Sequence, residues 1–257
     1  MLLKDKCIIV AGGSSGIGAA ATQHFVHEGA RVLSVGLPIE GWHEERTEHL
    51  WTFSADLTMD DAVNQLPEIC ISHFGSFDGL FHVAGGSGRR FGDGPLHELT
   101  DEGWEKTLAL NLTTMMKTNR SAIRSFLQQK KGGAILNVST ALVDHPAPTH
   151  FSTHAYAAAK AAINGLSLAT ASHYAKDNIR INVLSPGLTD TPMAQRAINN
   201  ETIMSYVNSR QPLDGGRAVK PHDIIGMAAV LLSDQSSFIT GQNIHIDGGW
   251  SVSEGKA

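Results

Sequence analysis

Cysteine is scarce in this chain, with two among 257 residues, and neither Cys7 nor Cys70 has partners at the spacing of a zinc site. That excludes a disulfide framework and predicts a reducing, cytoplasmic setting. Long hydrophobic runs are missing too: no apolar stretch approaches the roughly 20 residues that cross a bilayer. The opening Met1-Leu2-Leu3-Lys4-Asp5-Lys6 is too short and too charged for a secretion signal, so no membrane contact is expected. Basic clusters do not exceed Lys130-Lys131 and Arg89-Arg90, and a formal charge of −5 with mixed signs argues against a nucleic-acid partner. Of the histidines, His24 and His27 fall on an expected helix surface. His145, His150 and His154 fall in a loop without companion carboxylates or cysteines, so no metal site is expected. No Pro/Ser/Gly-rich linker, internal repeat or low-complexity tract divides the chain, and residues 1–257 read as one domain.

Short apolar runs alternate with helical patterns from end to end, the signature of an α/β chain with a parallel sheet. Cys7-Ile8-Ile9-Val10 suits a strand buried on both faces and passes directly into Ala11-Gly12-Gly13-Ser14-Ser15-Gly16-Ile17-Gly18. A helix follows and ends near Gly29. Strand, glycine loop and helix together form a cradle for a pyrophosphate, because glycines permit close backbone approach and the helix start offers free N–H groups. Further on, Tyr156-Ala157-Ala158-Ala159-Lys160 puts a phenol and an ammonium on one helix face. A nearby ammonium stabilises a phenolate, so the expectation is a tyrosine whose pKa falls from about 10 towards neutrality.

Glycine loop and Tyr-x3-Lys, in this order, resemble the short-chain dehydrogenase/reductase family, and the resemblance covers nearly the whole chain. The family's T-G-x-x-x-G-x-G is matched by Gly12, Gly16 and Gly18, with Ala11 in the threonine place. The resemblance implies a single Rossmann-type domain, a doubly wound parallel sheet with helices on both faces. It also implies an NAD(P)-dependent oxidoreductase that interconverts a secondary alcohol and a ketone by hydride transfer. The implied catalytic residues are Tyr156 as general acid/base, Lys160 as its modulator and ribose ligand, Asn111 as holder of a relay water, and a hydroxyl at Ser139 or Thr140. Alternation along the strand lets only one of these hydroxyls face the nicotinamide, with Thr140 the preferred one. The implied cofactor contacts are Gly12, Ser14, Ser15, Gly16, Ile17 and Gly18 in the loop, then Asp56 and Leu57 at the adenine. Ala84 and Gly85 follow, in an N-N-A-G segment whose asparagines are replaced by His82-Val83, then Tyr156 and Lys160. Last comes the P-G segment with Pro186, Gly187, Thr189 and Thr191.

Where the family's NAD-preferring members carry an acid, after the second strand, this chain has Gly36, and no basic residue stands at Ser15. NAD and NADP both remain open, with NAD favoured because an unpaired phosphate dianion is costly to bind. Residues Ile39 to Glu48 lack periodicity and predict a shortened third helix. A helix over Asp60–His73 is expected to kink at Pro67, and Trp104, Leu108, Leu112 and Met115 are expected to share one buried face. Residues 193–212 are expected to form a substrate lid, and Arg89 and Arg90 sit in a polar loop suited to an anionic substrate. A homotetramer is the family expectation. Two rival readings are a catalytically inactive nucleotide-sensing protein of the same fold, and a sugar-nucleotide epimerase or dehydratase.

Overall fold

A computed structural model describes residues 1–40 and 42–254. In chain order the elements are β1 (Cys7–Ala11), α1 (Gly16–His27), β2 (Arg31–Gly36), β3 (Leu50–Ser54), α2 (Asp60–Asn64), α3 (Leu66–Phe74), β4 (Gly79–His82), α4 (Asp101–Leu108), α5 (Thr114–Gln129), β5 (Gly133–Val138), α6 (His154–Tyr174), β6 (Ile179–Pro186), α7 (Gln195–Ile198), α8 (Glu201–Arg210), α9 (Pro221–Leu232) and β7 (Asn243–Ile246). The strands pair in parallel, in the order β3-β2-β1-β4-β5-β6-β7.

Alternation within β1 makes the sheet two-faced. Ile8 and Val10 pack with Ala21 and Phe25 of α1 and with Ile224 and Ala228 of α9. Cys7, Ile9 and Ala11 turn the other way, towards Cys70 and Phe74 of α3 and Ile123 and Phe126 of α5. Each core holds an aromatic pair: Phe25 and Phe81 meet edge to face at 5.8 Å, and Phe77 and Phe126 stack at 4.7 Å. Burial of one such ring stabilises the fold by about 1.5–3 kcal/mol. The parallel sheet that the alternating pattern predicts, and the doubly wound Rossmann-type form that the family resemblance implies, are therefore the observed ones.

Local departures have physical causes. The helix expected over 60–73 is two helices, α2 and α3, and Pro67 lies in the first turn of α3, where its missing N–H costs nothing. Between β2 and β3 the described residues contain no helix; Gly41, inside the segment expected to hold a shortened one, is not among them. Trp104 is 42% exposed although Met115 is fully buried. A single π-helical turn over Ala109–Thr113 joins α4 to α5, and its extra residue rotates the face of α4 away from that of α5.

Candidate active site

Strand order reverses between β1 and β4, so the connections leaving their carboxyl ends diverge and open a crevice. A cavity of about 560 Å³ starts there, at Gly12 and Gly85, and extends to Tyr156 and Trp250.

The nucleotide end is built from close backbone approach. Gly12 (φ +98°) and Gly16 (φ +52°) are left-handed, and a Cβ on Gly12 would stand 2.6 Å from the Ala84 nitrogen. Ser14, Ser15, Gly16 and Ile17 line the cavity; Gly18 does not, because it packs under the loop, where a Cβ would collide with the Gly12 carbonyl oxygen. Ser15 precedes α1 without capping it through its side chain, and the first turn holds no acid, so the N–H groups and the positive dipole end suit an anion. Asp56 Oδ1 accepts from the N–H and hydroxyl of Thr58 at 2.9 and 2.7 Å, which fixes the carboxylate beside Leu57 in the wall. Past Gly36 the rim is Leu37 and Ile39, both exposed and uncharged. After β6, Pro186, Gly187, Thr189 and Thr191 all reach the wall. The Gln211 carboxamide oxygen holds the Leu188 N–H at 2.7 Å and ties this segment to the end of α8.

At the other end, α6 presents Tyr156 and Lys160. Lys160 is 5% exposed, and its Nζ donates to the Val138 carbonyl at 2.9 Å. Burial pushes its pKa down to about 8 and that of Tyr156 up to about 12. The expected fall in the tyrosine pKa is not what this environment produces: Nζ stands 5.6 Å from the centre of the phenol ring, and desolvation of the phenolate outweighs the attraction. Ser139 and Thr140 both line the cavity but are used differently. The Ser139 hydroxyl donates to the Lys160 carbonyl at 3.0 Å, whereas Thr140 Oγ1 only accepts, from the Leu142 N–H at 3.3 Å. Asn111 sits in the π-turn, donates to Gly86 and Thr107 carbonyls at 3.0 and 2.9 Å, and accepts from the Gly86 N–H at 3.1 Å. It thereby clamps the strand-β4 loop to the helix. His82, where the family has asparagine, is buried, shares a hydrogen bond with Thr118 Oγ1 at 2.9 Å and is held neutral, with a pKa of about 3, chiefly by desolvation. A strand-to-helix tie thus replaces the lost staple.

The family model described as enoyl-(acyl carrier protein) reductase matches residues 11–251. The chain is 32% identical to 2,5-dichloro-2,5-cyclohexadiene-1,4-diol dehydrogenase of Sphingobium indicum, covering 97% of this chain and 98% of the relative. It is also 32% identical to cis-4-hydroxycyclohexanecarboxylate dehydrogenase of Sinomonas cyclohexanicum, over 96% and 97% of the two chains. The solved structure of aldohexose dehydrogenase from Thermoplasma acidophilum superposes with a TM-score of 0.84 at 26% identity, covering 99% of this chain and 97% of that one. The chain belongs to the short-chain dehydrogenase/reductase family.

As a short-chain dehydrogenase/reductase it is an NAD(P)-dependent oxidoreductase of CH–OH groups, and the glycine cradle fits such a nucleotide. In the cavity wall, Met193 and Arg196 come from the segment expected to be the lid, whereas Leu142, Phe151 and Trp250 carry no signal in the sequence. Leu142, Phe151, Met193 and Trp250 form an apolar side of the substrate end, and Arg196 joins Arg89 there. Arg90 does not join them: its guanidinium lies over the Phe91 ring at 4.6 Å. The loop from Ser87 to Pro95 signalled function by its polarity. Trp250 gave no signal, because it comes from the far end of the chain.

Proposed function

We propose that this dehydrogenase interconverts a secondary alcohol and a ketone with Tyr156 as proton donor and acceptor. A bound nicotinamide would supply or take the hydride. The observation that carries the reading is the convergence of Tyr156, Lys160 and an undonated Thr140 hydroxyl on the cavity that begins at the glycine loop. Thr140 donates to the substrate oxygen, and Tyr156, protonated over the ordinary pH range, delivers the proton in reduction. Lys160, fixed by the Val138 carbonyl, holds the ribose and exchanges the proton onward. Both Asn111 Nδ2 donors are spent on carbonyls, while Oδ1 accepts one N–H and keeps a second acceptor site, with which it holds the relay water.

The reading extends to the rest of the molecule. Ser14, Ser15, Gly16 and Ile17 hold the pyrophosphate, Asp56 the adenine, and Thr189 and Thr191 the carboxamide. NAD is the favoured nucleotide, because Leu37 and Ile39 offer a 2′-phosphate no cation. Residues 193–212 act as the lid of a single domain. A homotetramer, the family expectation, is supported by the exposed Leu168 and Phe238, apolar side chains of α6 and of the segment before β7, and a cytoplasmic setting by the two unpaired cysteines. Among the substrates after which the relatives are named, ring-borne alcohols suit the apolar wall best.

The test is a panel of secondary alcohols and ketones with NAD(H) and NADP(H), read at the reduced-nicotinamide absorbance, for the native chain and Tyr156→Phe. The variant should keep nucleotide binding and lose about 10²- to 10⁴-fold in rate. Retention of more than about half of the turnover overturns the assignment.

A further inference from the structure

We propose that the substrate of this site carries a carboxylate on an otherwise apolar body, and that Arg89 and Arg196 bind it. The proposal rests on the oxidoreductase reading above and narrows its substrate class.

Two separate segments bring these arginines together. Arg89 stands in the short helical turn Arg89–Phe91 after β4, and Arg196 in α7 after β6, and both line the cavity that holds Tyr156 and Thr140. They are near enough for the charge of Arg196 to lower the pKa of Arg89, after partial desolvation. Ion pairs elsewhere in the molecule serve Arg31, Arg120 and Arg217, but no carboxylate among the described residues pairs with Arg89 or Arg196. Asp93 acts on Arg89 through space, yet its two oxygens are taken by the backbone N–H groups of Ala155 and Tyr156. Arg196 is aimed by one hydrogen bond, from Nη2 to the His150 carbonyl at 3.1 Å. Two exposed guanidiniums on one cavity wall, neither with a carboxylate partner, disfavour one another, and an anion bound to both removes that cost while filling their planar donors.

The rest of the wall decides what the anion is attached to. Leu142, Phe151, Met193 and Trp250 are apolar, and the Trp250 Nε1–H is spent on the His145 carbonyl at 3.0 Å. Asp56, at the nucleotide end, is the only acid in the described wall, and Asn111 has both amide donors engaged internally. A polyol would find few partners there. A hydroxy acid or keto acid with a ring or an alkyl chain finds an apolar wall and a cationic rim.

The experiment compares 3-hydroxybutanoate, 4-hydroxypentanoate and mandelate with their methyl esters, in the native chain, Arg89→Gln and Arg196→Gln. At least one acid should exceed its ester in kcat/KM by about tenfold, and each variant should lower that acid's kcat/KM by about 10- to 100-fold, through KM, while leaving its ester within about twofold. Esters used as well as acids, or equal losses on both, overturn the proposal. So does a rise in the dissociation constant of reduced nicotinamide, read by its fluorescence, with the acid-to-ester ratio unchanged: the anion is then the nucleotide's pyrophosphate. If no alcohol or ketone is turned over, the oxidoreductase reading fails by itself. Thermal stabilisation by the three acids, present in the native chain and lost in both variants, still supports the anion site, and its absence overturns it.

Discussion

The Asp93 carboxylate accepts hydrogen bonds from the backbone N–H groups of Ala155, at 2.9 Å, and Tyr156, at 3.1 Å. These are early residues of α6, whose N-cap, Thr153, gives no side-chain cap. An acid 62 positions upstream thus satisfies donors that a helix start leaves open, and it does so at the residue that carries the phenol. The His154 N–H adds a bond to the Gly94 carbonyl at 3.1 Å. The substrate-side loop and the start of α6 are therefore tied together by three hydrogen bonds.

Asp93→Ala should cost about 1–3 kcal/mol in urea unfolding, because two buried donors lose their acceptor. It should also lower kcat well below the melting temperature, with nucleotide affinity nearly unchanged. Asp93→Asn, which keeps one good acceptor, should recover part of both. An unaltered kcat in Asp93→Ala would mean that the loop does not position Tyr156.

The two adjacent hydroxyls should separate cleanly. Thr140→Val removes a free donor and should abolish most turnover while leaving the fold intact. Ser139→Ala breaks the bond to the Lys160 carbonyl and should cost about 1 kcal/mol of stability with a modest effect on rate. Denaturation curves and initial rates on the same preparations decide it, and the reverse pattern transfers the catalytic hydroxyl to Ser139.

Nucleotide choice can be moved from the rim rather than from the strand end. Leu37→Asp puts a carboxylate where a ribose 2′-hydroxyl can be accepted and a 2′-phosphate repelled, so the KM for NADP should rise about tenfold and that for NAD should not. Gly36→Asp should instead weaken both nucleotides, since its Cβ would stand 2.8 Å from Ser14 Oγ and 3.2 Å from the Ser14 nitrogen. Parallel saturation curves for NAD and NADP would expose an error in this geometry.

The pH dependence follows from a buried lysine and a half-buried tyrosine shifted in opposite directions. Oxidation needs a Tyr156–Lys160 pair that has lost a proton, which happens first near pH 8, so kcat/KM for an alcohol should rise through that pH and the reductive rate should fall. Lys160→Met should move this limb above pH 10. For stability, a lysine held near 8 when folded and at about 10.4 when unfolded leaves the unfolded chain with more bound protons between those values. Stability should therefore gain from this group as pH rises from about 8 to about 10, and Lys160→Met should flatten that segment of a Tm-against-pH curve. Tyr156, raised when folded, acts in the opposite sense, and only above about 10.

What could be read in the sequence was whatever depends on local spacing. The buried run Cys7–Val10, the glycine loop after it and the Tyr156–Lys160 pair are each set by a few neighbouring residues, the Pro186-Gly187 segment is set by the family resemblance, and all occupy the expected places. Asp93 could not be read this way, because its partners are chosen by tertiary approach and not by period. The same holds for Arg196, which meets Arg89 only after β6 lies beside β5. The exposed Trp104 departs from the expected face for a subtler reason: the 3.6-residue period breaks at Asn111, where the helix contains a π-turn. Desolvation of Tyr156 and Lys160 is likewise invisible to a one-dimensional pattern, and it reverses the expected direction of the tyrosine's pKa.

Trp250 packs edge to face on Phe151 and Tyr206 and is tied to His145, so the last part of the described chain completes the substrate wall. Ribosomal synthesis runs in one direction, and although β1, the glycine loop and β4 lie in the chain's first third, Thr191 packs against Gly16 and α9 covers the face on which α1 rests. A nascent chain can therefore carry the glycine loop long before the wall around the nucleotide closes. Both ends of the cavity wait for the second half of the chain, and the Trp250 side is the last to be made.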